Sequence, residues 1–182
     1  MTDLNQLVEN IKLLSESRGR IVVAIAGPPA AGKSTFVEEL LSSLDNAVVV
    51  PMDGFHFDNA ILDHVGLRHR KGAPETFDVD GLASLLLRLA QNERPEGITV
   101  PVFDRELDLS RASARIIKQE TQIVLVEGNY LLLQDAPWAN LAQYFDMTVM
   151  LECDIELLRT RLMDRWLDLN FNAEEAADKV EG

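Results

Sequence analysis

A lysine, a serine and a threonine stand directly behind a glycine-framed loop. Residues 27–35 read Gly-Pro-Pro-Ala-Ala-Gly-Lys-Ser-Thr. Gly27, Gly32, Lys33 and Ser34 satisfy the pattern G-x-x-x-x-G-K-[ST], whose residue types suit a phosphate chain. A triphosphate is a dense anion. A loop that wraps it must turn backbone N–H groups inward, at φ angles that glycine permits. The helix expected to follow points its unpaired N–H groups and positive dipole end at the same phosphates. Lys33 would reach the β- and γ-phosphates and Ser34 would ligate Mg²⁺. Pro28, Ala30, Ala31 and Thr35 complete the expected nucleotide contacts. The four-position pattern arises by chance in roughly one chain in a hundred of this length or fewer.

Phosphoryl transfer asks little covalent chemistry of a protein. It needs positioned phosphates, Mg²⁺, an oriented nucleophile and charge neutralisation. Asp53 directly follows the run Val48-Val49-Val50-Pro51-Met52 and is assigned as the base for an acceptor hydroxyl. An aspartate before Gly54 could instead cap a turn. Glu127 ends another apolar run before Gly128, a placement that suits a carboxylate acting on Mg²⁺ directly or through water. An ordinary polar strand end would look the same. Either carboxylate could serve as the base.

Arg159, Arg161 and Arg165 fall on one expected helix, and Arg161 and Arg165 share a face at i, i+4. They could clamp nucleotide phosphates as a lid closes, or pair with Glu156, Asp164 and Asp168 in solvent. Residues 64–71, His-Val-Gly-Leu-Arg-His-Arg-Lys, form the one dense basic cluster in an acidic chain. Arg68 within it, and His56 just past Asp53, are candidates for contact with the acceptor. His56, His64 and His69 lack zinc-type spacing. Cys153 is the one cysteine and reads as a small buried side chain; Trp138 and Trp166 read as packing residues.

These groups need a frame. Ile21–Ala26 is a short β-branched run, and residues 34–44 place Phe36, Val37, Leu40, Leu41 and Leu44 on a helical stripe. Strand, glycine loop and helix are the context that the loop requires. Further apolar runs occur at 47–52, 123–126 and 147–151. An amphipathic helix is expected over 3–18 with a stop at Gly19. Asp80 could cap another bearing Leu82, Leu85, Leu86 and Leu89. Asp154 could cap a third bearing Leu157, Leu158, Leu162 and Leu169. Residues 98–103 read as an edge strand, because Pro101 cannot donate to a ladder, and 110–119 as a short helix. Four apolar runs separated by helical patterns imply an α/β fold, a parallel sheet with helices on both faces. Ligands then bind at the carboxyl ends of the strands, where Asp53 and Glu127 both fall.

The chain has 182 residues with 47% hydrophobic content, enough for one domain with a core. The span 54–122 is long for a crossover and reads as an inserted substrate-binding subregion. A net charge of −13 argues against nucleic acid and anionic membrane as partners. One cysteine permits no intrachain disulfide, and the start Met-Thr-Asp-Leu-Asn carries no signal-peptide pattern, so a cytoplasmic setting is expected. Oligomeric state is left open between monomer and homodimer.

Beyond the loop, Pro-Met-Asp-Gly-Phe-His-Phe at 51–57, Ala-Pro-Glu-Thr-Phe-Asp at 73–78, Pro-Val-Phe-Asp at 101–104 and Val-Glu-Gly-Asn-Tyr at 126–130 complete a pattern. It resembles the phosphoribulokinase, uridine kinase and pantothenate kinase family, and most of all a bacterial branch described as nucleoside kinase-like or fructose transport-system (fructokinase-like) kinases. The resemblance covers nearly the whole chain from Ile21 onward. It implies a three-layer P-loop NTPase fold, with an acceptor-binding insertion at 54–122 and a lid region at 154–182. It implies ATP and Mg²⁺ as cofactors and γ-phosphoryl transfer to a small-molecule hydroxyl. It carries Lys33 and Ser34 to the phosphate and metal roles, Asp53 to the base, and Glu127 to the family's acidic strand-end residue. Asp78 and Asp104 match positions near the acceptor pocket, and Arg161 and Arg165 match the lid helix. The chain stops at Glu181-Gly182, where family members usually continue with a segment that helps form the adenine pocket. The expectation is a truncated polypeptide or loose binding of the base. Rival readings are a nucleotide hydrolase using water and a non-catalytic ATP-binding regulator. A GTPase is disfavoured, because no Asn-Lys-x-Asp element is present.

Overall fold

The computed structural model describes residues 3–168 and 171–181. In chain order its elements are α1 (Leu4–Arg18), β1 (Ile21–Ala26), α2 (Lys33–Ser43), β2 (Ala47–Pro51), α3 (Asn59–His64), α4 (Val79–Gln91), β3 (Ile98–Asp104), β4 (Leu109–Ile117), β5 (Ile123–Gly128), β6 (Met147–Met150), α5 (Ile155–Asp168) and α6 (Ala173–Glu181). Short 3₁₀ turns occupy Met52–Phe55, Arg68–Arg70, Pro74–Thr76 and Trp138–Tyr144.

β1 is apolar at every position because both faces of the sheet are covered, and all six of its residues are buried. Its side chains alternate between two cores. Val22, Ala24 and Ala26 join Leu82, Leu85, Leu86 and Leu89 of α4, with Trp138 and Leu141. Ile21, Val23 and Ile25 join Leu7, Val8 and Ile11 of α1 and Val37 and Leu40 of α2. Each of the Val, Leu and Ile side chains contributes about 1.5–3 kcal/mol on burial. The result is the expected α/β architecture, a parallel sheet between helical layers, in the order β2-β5-β1-β6.

The connection leaving β1 runs through α2 on one face, while that leaving its neighbour β5 runs through Trp138–Tyr144 on the other. The two chains diverge at the carboxyl ends of adjacent strands, and such a switch point leaves a crevice there.

Several expectations need correction. Residues 110–119 are not a helix; Leu109–Ile117 is β4, paired antiparallel with β3 in a separate two-stranded sheet. The pairing overrides the Ala- and Arg-rich local sequence, because strand stability resides in cross-strand contacts. The β3–β4 register shifts between Val100 and Val102, at Pro101, which has no N–H to donate. The cap of α4 is Asp78, which accepts from Gly81 N at 2.8 Å, rather than Asp80. Asp154 does cap α5, accepting from Glu156 N at 2.9 Å. The apolar stripe of α5 is thin, however: Leu158 is buried while Leu157 is exposed, and Leu169 lies outside the described residues. α3 and α6 had no counterpart in the sequence reading.

Candidate active site

The phosphate loop joins β1 to α2 at the sheet's carboxyl edge. Gly32 caps α2 in the left-handed region, at φ 87°, where a side chain would strain the backbone. Gly27 is buried, and a Cβ there would lie 3.0 Å from the Leu151 carbonyl oxygen; the loop therefore leaves β1 flush against the end of β6. Ala30 also has positive φ, at 62°. Pro28 and Ala31 close a turn through Ala31 N and Pro28 O at 3.2 Å, and Thr35 sits exposed in the first turn of α2.

Lys33 donates to Gly27 O and Pro28 O, both at 2.9 Å, and to Asn129 Oδ1 at 2.5 Å. All three ammonium hydrogens are in use. Burial pushes the Lys33 pKa down, while Glu127 and Asp53 oppose that shift and Arg165 adds to it. Ser34 Oγ lies 3.4 Å from Glu127 Oε2. A hydroxyl and a carboxylate are the hard oxygen donors that Mg²⁺ takes beside phosphates, so this pair fits the ion.

Glu127 faces Ile25 of β1 and Pro51 of β2 across the sheet, which brings it between the loop and the end of β2. Burial raises its pKa, with Asp53 as the next cause; Lys33, Ser34 and Arg105 oppose. Gly128 follows because a Cβ there would run into Met52 Sδ at 2.2 Å. Asp53 sits in the 3₁₀ turn after β2, and Gly54 lets that turn lie against Pro101, whose carbonyl oxygen is 2.8 Å from where a Cβ would be. Asp53 Oδ2 pairs with Arg105 Nη2 at 2.9 Å, with side-chain exposures of 33% and 70%. A pair this open contributes about 0–1 kcal/mol.

Arg161 reaches the loop, donating to Ala30 O at 3.1 Å. Arg161 and Arg165 of α5 line a cleft of about 710 Å³ together with Phe103, Arg105, Asp108 and Asp164. α5 and the β3–β4 hairpin therefore form its two walls.

His56, Asp78, Asp104 and Arg68 fall into two groups. His56 lies between the rings of Phe77 and Phe103, at centroid distances of 4.1 and 4.7 Å. Its Nδ1 is 2.8 Å from Asp53 O, so Nδ1 carries the proton. Burial lowers its pKa. His56 and Asp78 both line a smaller pocket of about 330 Å³ beside Pro101 and Ser110. Asp104 and Arg68 instead serve the hairpin. Asp104 accepts from Leu107 N at 3.1 Å and pairs with Arg111 at 3.3 Å. Arg68 pairs with Asp63 at 3.3 Å and Asp108 at 3.8 Å.

Three residues to which sequence reasoning assigns no individual role emerge here. Asn129 holds Lys33; its place directly after Glu127-Gly128 was the available signal. Arg105 holds Asp53, and only the fold brings it there. Lys71, 13% exposed, binds Asn59 Oδ1 at 2.7 Å and Asp108 Oδ1 at 2.8 Å and lies 5.1 Å from the Phe103 ring centre. It latches the loop after α3 to the hairpin turn.

The family model for phosphoribulokinase / uridine kinase matches residues 22–168, a span that includes the loop, both carboxylates and α5. The chain belongs to that family. It is similar to the uncharacterised protein YggC of Escherichia coli (strain K12), 38% identical over 152 residues, 80% of this chain and 62% of that protein. It is 30% identical over 160 residues to a pantothenate kinase of Coxiella burnetii (strain Dugway 5J108-111), 80% of this chain and 49% of the kinase. The chain thus spans under two thirds of the length of both curated relatives. A crystal structure from Silicibacter sp. TM1040, provisionally named a fructose transport system kinase, superposes with a TM-score of 0.91 at 38% identity, covering 100% of this chain and 90% of that one. Among the described residues no helix is long and apolar enough to cross a membrane.

Proposed function

We propose that the protein transfers the γ-phosphoryl group of ATP to an alcohol of a small molecule, a sugar such as fructose or a nucleoside-like compound. The observation that carries this reading is one ammonium, Lys33, seated in the phosphate loop on Gly27 O and Pro28 O, with Ser34 Oγ beside Glu127 Oε2 at 3.4 Å. Phosphate oxygens entering the loop meet the N-terminus of α2 and can replace Gly27 O and Pro28 O as Lys33's partners. Ser34 and Glu127 would hold Mg²⁺, which neutralises charge on the β- and γ-oxygens. Arg161 and Arg165 would close on the same phosphates.

Asp53 is the base in this reading. The acceptor oxygen bonds to the γ-phosphorus as the bond to the β,γ-bridging oxygen breaks, and that electron pair leaves with ADP. The acceptor's proton passes to the Asp53 carboxylate. His56 and Asp78 line the acceptor side within the 54–122 insertion, while Asp104 and Arg68 shape its hairpin. The region 154–182 acts as the lid of a single kinase domain, and a cytosolic setting supplies the ATP.

ADP release measured with Mg²⁺ and ATP, with and without D-fructose, other sugars, uridine or pantothenate, tests the reading. Acceptor-dependent release is expected. Equal release with no acceptor would make the protein a hydrolase, and binding without release would make it a regulator.

A further inference from the structure

A kinase must choose an alcohol over water, the most abundant nucleophile present. Water is small enough to enter any site that admits a hydroxyl. A carboxylate base open to solvent beside a bound triphosphate would activate water as readily as an acceptor. Here Asp53, a third exposed, accepts through Oδ2 from Arg105 Nη2 at 2.9 Å. Arg105 stands on the turn between β3 and β4 and also lines the cleft between that hairpin and α5.

We infer that Arg105 is a positioning residue that selects alcohol over water by holding Asp53 until an acceptor displaces it. This inference rests on the kinase reading above. Water brings no contacts elsewhere with which to displace a guanidinium. An acceptor seated in the pocket lined by His56 and Asp78 does bring them, and binding energy from such remote contacts drives the exchange at the reacting centre. The exchange is easy because the pair is open: Arg105 is 70% exposed. Its alternative position is at hand, in the cleft that it shares with Arg161 and Arg165. No covalent bond changes in this step; one hydrogen bond to Asp53 Oδ2 is traded for another, from the acceptor hydroxyl.

The test compares wild type, Arg105→Ala, Arg105→Lys and the double variant Arg105→Ala/Asp53→Asn. ADP release with Mg²⁺ and ATP alone is read beside transfer to the best acceptor among D-fructose, uridine and pantothenate. Arg105→Ala should raise acceptor-free release by up to about fivefold, the upper end of what an exposed ion pair carries, and lower the ratio of transfer to hydrolysis. Arg105→Lys should restore most of that ratio. The double variant should lose the extra hydrolysis, because it passes through Asp53. The inference is overturned if a wild type with clear acceptor-dependent transfer shows the same acceptor-free release as Arg105→Ala. It is also overturned if the extra release survives in the double variant. A wild type that releases no ADP with any acceptor removes the kinase reading itself, and this inference with it.

Discussion

Lys33 Nζ lies 2.5 Å from Asn129 Oδ1, so a side chain just beyond β5 holds the ammonium of the loop that follows β1. Two neighbouring strands thereby share one charge at the sheet edge. Lys33→Ala should lower ATP turnover by about 10²–10³, the range for removing one preorganised donor at developing charge. Asn129→Ala leaves the charge but loosens its aim, and should weaken ATP binding roughly tenfold, as for one hydrogen bond to a charged group. Calorimetric titration with Mg²⁺ and ATP separates the two. Equal affinity in Asn129→Ala and wild type would mean that the amide plays no part in aiming the lysine.

Lys71 joins α3, the basic loop and the hairpin turn through Asn59 and Asp108. Lys71→Met keeps the stem over Phe103 but leaves those oxygens without their cation. The loss should be about 1–3 kcal/mol. For a chain of this size each kcal/mol shifts the melting temperature by roughly 2–4 °C. A variant that melts with wild type would show that the latch carries no stability.

His56 predicts a pH dependence. Burial holds its pKa below the ordinary 6.5; the Asp53 carbonyl and the Asp53 and Asp108 carboxylates oppose that shift, and Lys71 adds to it. The unfolded chain therefore takes up a proton near pH 6.5 that the folded chain refuses. Stability should fall as pH drops below about 6.5, because the unfolded state binds more protons there. His56→Phe keeps a ring between Phe77 and Phe103 and should flatten the melting curve between about pH 7 and pH 5. An unchanged slope would place the titration elsewhere.

The phosphate loop and the parallel sheet are legible in the sequence because each rests on local chemistry. Gly32 needs its left-handed φ, and β1 needs six apolar residues because both faces are covered. β4 is not legible, since Ser110 to Ile116 presents partly or fully exposed side chains with no alternation and depends on its partner β3. The Asp53–Arg105 pair is equally hidden: 52 positions separate the two residues, and tertiary packing such as that of the 3₁₀ turn against Pro101 brings the hairpin near. Asp78 shows a subtler limit. The sequence marks it as a candidate acceptor contact, and the fold gives one of its oxygens to the cap of α4.

In the proposed reaction Asp53 takes a proton from an alcohol while the loop holds ATP. Mass spectrometry of the acceptor panel after incubation with Mg²⁺ and ATP tests this most directly, with wild type run beside Asp53→Asn. Wild type should add one phosphoryl group to an alcohol. Asp53→Asn should still bind ATP but form product about 10²–10⁴ more slowly, the usual loss with a general base. Product formed by Asp53→Asn at the wild-type rate would contradict that role for Asp53.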